Sequence, residues 1–235
     1  MLVDIIIPAY NPGPYLLDAL KSCTRQKYNN YTVTVIDDNS TEDVKSIVDK
    51  FAGFNYIRNN ENLGPAGARN VGIRNTSGDL ISLLDADDLM HPDKLKLSVK
   101  EFKDQEVGLV CGNYQILVNR KRLLRPFYRK PVKIDRDVLM TQNFVASGST
   151  TFRRTLIEEI GGFDERFWIS EDYACWIRMS EISKIKYIHE ILYYYAVSPG
   201  NDSLTQRADI QKDHEKNIEM IRRESRERMR ITNGS

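Results

Sequence analysis

The chain has 235 residues, of which 41% are hydrophobic and 29% charged, and its formal net charge is +1. This balance is typical of a globular protein, and it lacks the basic excess that nucleic acids or anionic membranes attract. No run approaches the roughly 20 apolar residues of a membrane helix. The three cysteines, Cys23, Cys111 and Cys175, form no CxxC pair. This argues against a zinc cage or a disulfide framework and favours a reducing, cytoplasmic location.

Strands and helices alternate along the first half of the chain. Apolar and β-branched runs predict strands at 3–7, 31–37, 54–57 and 80–84. The first strand is expected to stop at Pro8. Apolar spacing and capping residues predict helices at 16–23, from Ser40 to 51, at 65–75 and from Pro92 onward. This alternation predicts βαβ units and a mostly parallel sheet.

The second half is less regular. The predicted strands are one or two over 107–118, then 149–152 and 185–197, and the predicted helices are 154–160, 172–181 and one from about Asp209. The basic segment 120–133 is predicted to be a loop. We therefore expect one α/β domain, residues 1–205, with a nucleotide-binding half (1–105), an acceptor-binding half (106–205) and a charged helical tail (206–235).

The most informative segment is Asp85-Ala86-Asp87-Asp88, which directly follows the apolar run 80–84. Hard divalent cations prefer oxygen ligands, and open α/β sheets bind ligands outside the carboxyl ends of their strands. The segment therefore predicts a metal-assisted phosphate or diphosphate site. The alternative is a solvated, acidic helix start. An EF-hand fits poorly, because the twelfth position from Asp85 is Lys96 rather than Glu.

Unusual residues also follow the first two strands, at Pro8–Asn11 and Asp37–Ser40. In a parallel sheet these strand ends lie along one edge. Tyr10 can offer an aromatic face to a uracil-like base, and Asp38 can accept the ring N–H of that base. Asp37 is the less favoured acceptor, and both acids could instead cap the turn at Ser40.

Six motifs, in their order and spacing, resemble those of inverting glycosyltransferases of the GT-A fold, family 2, the bacterial surface-polysaccharide type. The motifs are Ile6–Asn11, Val35–Ser40, Asn62–Asn70, Leu84–Asp88, Gly161–Glu165 and Glu171–Trp176. The resemblance covers residues 3 to about 197. It implies a GT-A fold with a single Rossmann-like, mostly parallel sheet flanked by helices and an irregular acceptor-side half, to which the chain adds its helical tail.

The resemblance also implies the site residues. Those expected at the nucleotide are Pro8, Ala9, Tyr10, Asn11, Asp38, Arg69, Asp85 and Ala86. Asp87 is expected to bind the metal, Mn²⁺ or Mg²⁺, with Asp85 beside it toward the ribose. Asp172 is expected to be the catalytic base, because single-displacement transfer needs one carboxylate to remove the acceptor proton. Glu171 and Trp168 are expected at the sugars.

Four of these residues also have a purely structural interpretation. Arg69 could lie on the surface beside a tightly packed helix. Glu171 and Asp172 could merely favour the start of a helix through its dipole. Trp168, like its neighbour Phe167, could be a core residue rather than a sugar-stacking face.

The predicted function is transfer of one sugar from a nucleotide sugar, expected to be UDP-linked, to a glycan or lipid-linked saccharide. A Gln-x-x-Arg-Trp motif, typical of processive synthases, is absent. The alternatives are a non-catalytic sugar-nucleotide or glycan-binding domain and a nucleotidylyltransferase, which would need basic residues in the loop Ala9–Pro12. No nucleic-acid partner is expected. The tail is predicted to be solvated or self-packed, with peripheral contact to the inner face of the cell membrane as a weaker alternative.

Overall fold

The computed structural model describes residues 1–118, 121–122, 133–197 and 208–233. Their strands are β1 Val3–Ala9, β2 Tyr31–Asp37, β3 Asn55–Arg58, β4 Leu80–Leu83, β5 Leu89–Met90, β6 Val107–Val118, β7 Lys121–Arg122, β8 Thr151–Arg153 and β9 Lys184–Val197. The helices are α1 Tyr15–Cys23, α2 Val44–Val48, α3 Gly64–Arg74, α4 Lys94–Glu101, α5 Arg136–Leu139, α6 Arg154–Glu159, α7 Glu171–Ile182 and α8 Ala208–Asn233, with a 3-10 turn at Ser147–Ser149. Most of the predicted 120–133 loop and residues 119–120 lie outside the described residues. At Lys121 and Arg122 the loop prediction is wrong, because these residues form strand β7 and pair with the end of β6.

All described strands belong to one sheet of nine, in the order β3-β2-β1-β4-β8-β6-β9-β5, with β7 paired to β6. The strands β3, β2, β1 and β4 are parallel neighbours. Beyond β4 the sheet is mixed, because β8 runs antiparallel to both β4 and β6 while β6 and β9 are parallel. The register pairs Ala9 with Asp37 and Asp37 with Arg58, so the ends of β1, β2 and β3 meet at one edge, as predicted.

Helices cover both faces of this sheet, and this explains the apolar runs of its strands. On β1, Ile5 and Ile7 pack into one buried cluster, with α1, while Ile6 packs into the other, with α3, α6 and α7. Successive side chains of a strand point to opposite faces, so a strand buried on both sides needs apolar residues throughout. The α/β arrangement expected from the sequence is therefore present.

Two of the boundaries that differ from the sequence prediction have a clear local reason. β1 continues through Pro8 to Ala9, because β4 pairs with β1 only as far as Ile6 and leaves that side of Pro8 without a ladder partner. The helix predicted from Ser40 begins only at Val44, where the Asp43 carboxylate accepts a hydrogen bond from Ser46 N at 3.1 Å. The Ser40 hydroxyl instead accepts one from Asn11 N at 3.0 Å.

The charged tail forms the predicted helix, α8, which packs on the domain along one face while more than half of residues 211–232 stay exposed. Ile221 and Ser225 are buried. The Ser225 hydroxyl and the Arg228 guanidinium both donate to the Glu181 carboxylate of α7. Within the described part of the chain, no helix combines the length and the apolar character needed to span a membrane.

An aromatic cluster supports the α7 end of the fold. The Trp176 side chain is fully buried, and its ring centroid lies 5.9 Å from that of Phe152 and 6.0 Å from that of Phe163. This confirms that Trp176 packs in the core. The cluster joins β8, α7 and the Gly161–Glu165 loop, so the loop packs against the helix that begins with Glu171 and Asp172.

We expect Trp176→Ala to lower the free energy of unfolding by about 3–5 kcal/mol, because it removes apolar contacts and leaves a cavity. Urea denaturation measures the loss. The chain's other tryptophan is the matched control: Trp168 is 51% exposed, so Trp168→Ala should cost less than about 1 kcal/mol. Equal losses in the two variants would contradict the core role of Trp176.

Candidate active site

The buried guanidinium of Arg69 lies at the centre of the site. Its Nη1 donates to Glu171 Oε1 at 2.5 Å, and its Nη2 donates to Asp85 Oδ1 at 3.0 Å. Burial disfavours the charge of Arg69, but these two carboxylates outweigh it and raise the pKa of Arg69 above its ordinary value. The arginine therefore joins the carboxyl end of β4 to the first residue of α7.

The small residues of α3 explain how Arg69 reaches this position. A Cβ on Gly72 would lie 2.6 Å from Ile6 Cγ2, so only glycine allows α3 to approach β1 this closely. One turn earlier on α3, the Arg69 guanidinium lies over the Phe163 ring, with Cζ 5.5 Å from its centroid. The surface alternative for Arg69 is wrong, because only 4% of the residue is exposed.

The Asp172 carboxylate is held by two hydrogen bonds at the start of α7. Its Oδ2 accepts from Ser147 Oγ at 2.9 Å, and its Oδ1 accepts from Tyr173 N at 2.6 Å. Burial raises the pKa of Asp172, while Arg69 and these hydrogen bonds oppose the rise without cancelling it. A base with a raised pKa accepts a proton more readily, so Asp172 is suited to general-base chemistry.

Glu171 faces Arg69 and is more deeply buried than its neighbour. Burial raises the pKa of Glu171 to about 7; Arg69 opposes this shift and the adjacent Asp172 charge adds to it. Like charges on adjacent carboxylates disfavour double ionisation. The pair can therefore hold a proton close to neutral pH.

The acidic segment after β4 forms a turn that leaves one carboxylate oxygen available. Asp85 uses Oδ1 for Arg69, its Oδ2 has no hydrogen-bond partner among the described residues, and 35% of its side chain is exposed. Asp87 is partly exposed and Ala86 is buried between them. Asp88 is buried, and its Oδ1 accepts from Ala196 N at 2.8 Å, which ties the turn to β9.

Asp85 and Asp87 are the side chains that could hold Mg²⁺ or Mn²⁺, since both are carboxylates and both are partly exposed after β4. In the described ranges, no group of three His, Cys, Asp or Glu side chains could hold a metal. A divalent ion that also binds substrate phosphates needs only one or two protein carboxylates. Two partly exposed carboxylates therefore suit an ion that a diphosphate helps to bind.

At the ends of β1 and β2, the two adjacent aspartates have different environments. Asp37 is fully buried and accepts hydrogen bonds from Tyr56 Oη, Arg58 Nη1 and Ser40 N. Burial alone would raise the pKa of Asp37, but the hydrogen bonds from Tyr56 and Ser40 and the charge of Arg58 lower it overall. Asp37 therefore has a structural role.

Asp38 keeps one acceptor available. Its Oδ1 accepts from Asn59 Nδ2 at 2.7 Å and from Leu63 N at 3.0 Å, and its Oδ2 has no hydrogen-bond partner within the described ranges. Asp38 N donates to Ala9 O at 2.8 Å, which places Asp38 beside Tyr10. The Tyr10 side chain is 54% exposed, so its ring is accessible to a ligand.

The structure separates the two aromatic residues that precede the acid pair. Phe167 is buried beneath Arg166, whereas Trp168 is half exposed and lies against the start of α3. A Cβ on Gly64 would lie 2.7 Å from Trp168 Cζ3. Trp168 is therefore the aromatic face that borders the site.

Sequence reasoning missed two residues beneath the site, Lys94 and Ser147. Lys94 is fully buried, and its Nζ donates to Leu83 O at 2.7 Å and to Gly148 O at 2.8 Å. It therefore joins the end of β4 to the turn that carries Ser147, the hydrogen-bond donor to Asp172. Nothing in the local sequence separates Lys94 from the exposed Lys96 two residues later.

The comparisons with known proteins agree with this geometry. The family model described as "Glycosyl transferase family 2" matches residues 4–161. An Escherichia coli protein named UDP-Glc:alpha-D-GlcNAc-diphosphoundecaprenol beta-1,3-glucosyltransferase is 28% identical over 190 residues, which cover 80% of this chain and 73% of that protein.

Two solved structures share the fold. S. aureus TarS 1–349 in complex with UDP-GlcNAc has a TM-score of 0.71 at 20% identity, covering 84% of this chain and 59% of that one. A Pyrobaculum calidifontis mannosyltransferase in complex with GDP-Man and Mn²⁺ has a TM-score of 0.67 at 24% identity, covering 83% and 56%. The chain spans about a quarter to three quarters of the curated relatives it was compared with.

The chain belongs to glycosyl transferase family 2, since the family model covers more than half of its residues. It has the GT-A fold expected from the sequence, and glycosyltransferase is the class of protein that this family names. Family membership favours this interpretation over the nucleotidylyltransferase and the non-catalytic binding domain.

The buried Lys94 side chain is expected to make the folded protein more stable as the pH rises above 7. Burial lowers the pKa of Lys94 to about 7, although Cys23, Asp85 and Asp88 favour its charge. The unfolded chain, with an ordinary lysine pKa of about 10.4, then binds more protons than the folded one between about pH 7 and 10. The stability contribution of Lys94 therefore rises with pH across this window.

We expect the wild type to gain a few kcal/mol of unfolding free energy relative to Lys94→Met as the pH rises from 7 to 10. Chemical denaturation at several pH values measures this difference. Lys96→Met, on the same helix, is the matched control and should follow the wild type at each pH. Parallel curves for wild type and Lys94→Met would contradict the inferred pKa.

Proposed function

We propose that the chain is a metal-dependent inverting glycosyltransferase that moves one sugar from a UDP-sugar to a hydroxyl of a glycan or lipid-linked saccharide. The observation that carries this proposal is the Arg69 network. One buried guanidinium binds both Asp85, which follows the carboxyl end of β4, and Glu171, the neighbour of Asp172. A donor-phosphate site and a base are thereby joined in one rigid arrangement.

The nucleotide would lie over the ends of β1, β2 and β4. Tyr10 offers an exposed ring for the base, and Asp38 Oδ2 can accept the ring N–H of a uracil. The backbone of Pro8, Ala9 and Asn11 lines the same edge, with Ala86 and Asp85 beyond it. Asp85 and Asp87 would hold Mg²⁺ or Mn²⁺, which would stabilise the charge on the departing diphosphate.

Asp172 would remove the proton from the acceptor hydroxyl as that oxygen attacks the anomeric carbon. The new glycosidic bond forms while the bond to the nucleoside diphosphate breaks, so the configuration inverts. Ser147 and Tyr173 N hold the carboxylate in place, and its raised pKa suits proton transfer.

The sugars would lie between Trp168, Glu171 and Asp172. Trp168 presents a half-exposed ring next to Gly64, so it can stack on a sugar face. Glu171 would contact the donor or acceptor hydroxyls. Residues 1–105 would accordingly bind the nucleotide and 106–205 the acceptor, while the 206–235 tail packs against this domain through α8.

The names of the relatives support the choice of substrates. The E. coli relative is named for UDP-Glc and for a diphosphoundecaprenol-linked sugar, which supports a UDP donor and a lipid-linked acceptor. TarS binds UDP-GlcNAc, whereas the archaeal neighbour binds GDP-Man, so the nucleotide must be tested directly. Contact of the tail with the inner face of the membrane stays a prediction, and the inward-facing Arg222 and Arg228 leave fewer basic residues for it.

We expect Asp172→Asn to reduce transfer by about 10²–10⁴-fold, because the amide cannot accept the acceptor proton. Affinity for the donor nucleotide should be unchanged, as measured by calorimetry. Asp137→Asn, at a position whose side chain is 91% exposed, is the control and should retain wild-type turnover. Near wild-type transfer by Asp172→Asn would refute the base assignment.

A thermal-shift panel of UDP-, GDP-, dTDP- and CMP-sugars, each with and without Mn²⁺, tests the donor site. A ligand that binds only the folded state raises the melting temperature. We expect the largest increase in melting temperature with a UDP-sugar plus Mn²⁺. In Asp87→Asn the additional increase caused by Mn²⁺ should disappear, whereas Asp137→Asn should retain it. A metal-dependent increase that persists in Asp87→Asn would overturn the ligand assignment.

A further inference from the structure

Side chains of α8 contact the chain on both sides of the Glu171–Asp172 pair. His214 Nδ1 and Ser170 Oγ form a hydrogen bond at 2.6 Å, and Asn217 Nδ2 donates to Ile169 O at 3.1 Å. These contacts come just before the pair. On its other side, Arg222 Nε donates to Tyr173 Oη at 3.1 Å. The tail helix thus brackets the two carboxylates.

Ser170 has a strained backbone at the residue that immediately precedes the pair. Its φ is +69°, in the left-handed region that residues other than glycine rarely adopt. Such a conformation persists only where the surroundings hold it. Serine at this position usually caps the following helix, but here its side chain makes no cap hydrogen bond to α7 and bonds to His214 instead.

Hydrogen bonds of Tyr173 also fix the first turn of α7. The Tyr173 hydroxyl donates to Leu139 O at 2.5 Å, and the Arg222 guanidinium also donates to Thr141 O at 2.6 Å. Tyr173 N in turn donates to Asp172 Oδ1. Fixing Tyr173 therefore fixes one of the two hydrogen bonds that orient the Asp172 carboxylate.

We propose that α8 serves the reaction through His214 and Asn217, which act as positioning residues. They hold Ile169 and Ser170 in the conformation that aims Asp172 at the acceptor hydroxyl. This inference rests on the proposed function, in which Asp172 is the base. Without these contacts the Ser170 backbone can relax to the conformation of an ordinary helix N-cap, and this would displace the Asp172 carboxylate. An error of about 1 Å in the position of a reacting group can cost 10²-fold in rate.

The test is His214→Phe combined with Asn217→Ala in the full chain, because phenylalanine keeps the ring volume and removes the nitrogen that bonds Ser170. We expect kcat to fall at least tenfold, the donor KM to stay within twofold, and amide hydrogen exchange to accelerate at residues 169–174 only. His214→Asn should recover most of the activity, because its amide can still bond Ser170. Lys216→Ala, on the exposed face of α8, should behave as the wild type.

Two outcomes would overturn the inference. One is a wild-type kcat and unchanged exchange at 169–174 in the double variant. The other is a drop in kcat with faster exchange throughout the chain, which His214→Asn fails to reverse, since this would show a loss of overall stability. Asp172→Asn is assayed in parallel. If it stays active, the proposed base is wrong, whereas an inactive Asp172→Asn beside a fully active double variant refutes only the role of α8.

Discussion

The site depends on one buried charge, the Arg69 guanidinium. Removing such a charge from water costs several kcal/mol, so it is stable only with well-placed partners. Asp85 and Glu171 provide them from two different elements, and the Phe163 ring covers its face. Because the guanidinium is a rigid fork, satisfying both carboxylates also sets the distance between the end of β4 and the start of α7.

A second buried basic residue, Lys94, supports the site from beneath. Lys94 binds the carbonyls of Leu83 and Gly148, so the last residue of β4 and the turn that presents Ser147 move together. Ser147 then reaches Asp172. The carboxylates that follow β4 and those that begin α7 are thus connected by Arg69 and, underneath, by Lys94. A local disturbance of either side chain would reach both groups of carboxylates.

How far the sequence could predict the fold and the site depended on whether the signal was local. Apolar runs flanked by polar turns identified the strands, and acidic residues at strand ends identified the carboxylate cluster. The sequence predicts the start of the helix after β2 too early, because Ser40 and Asp43 are equally good caps in the sequence. Only in the folded chain does Asn11 N donate a hydrogen bond to the Ser40 hydroxyl, which leaves Asp43 as the cap. Phe167 and Trp168 are adjacent aromatic residues, and only the packing of Gly64 against Trp168 distinguishes them.

The sequence by itself determined the alternation of strands and helices, the family, and the carboxylates that follow β4 and begin α7, because these reside in short motifs with a physical meaning of their own. Only the tertiary structure decided the partners of those carboxylates. Arg69, Lys94 and His214 act through contacts with residues at least 11 positions away in the chain, and their charge or hydrogen bonding has no local signature. Burial favours such contacts, because a buried polar group without a partner costs free energy, and burial exists only after the chain has folded.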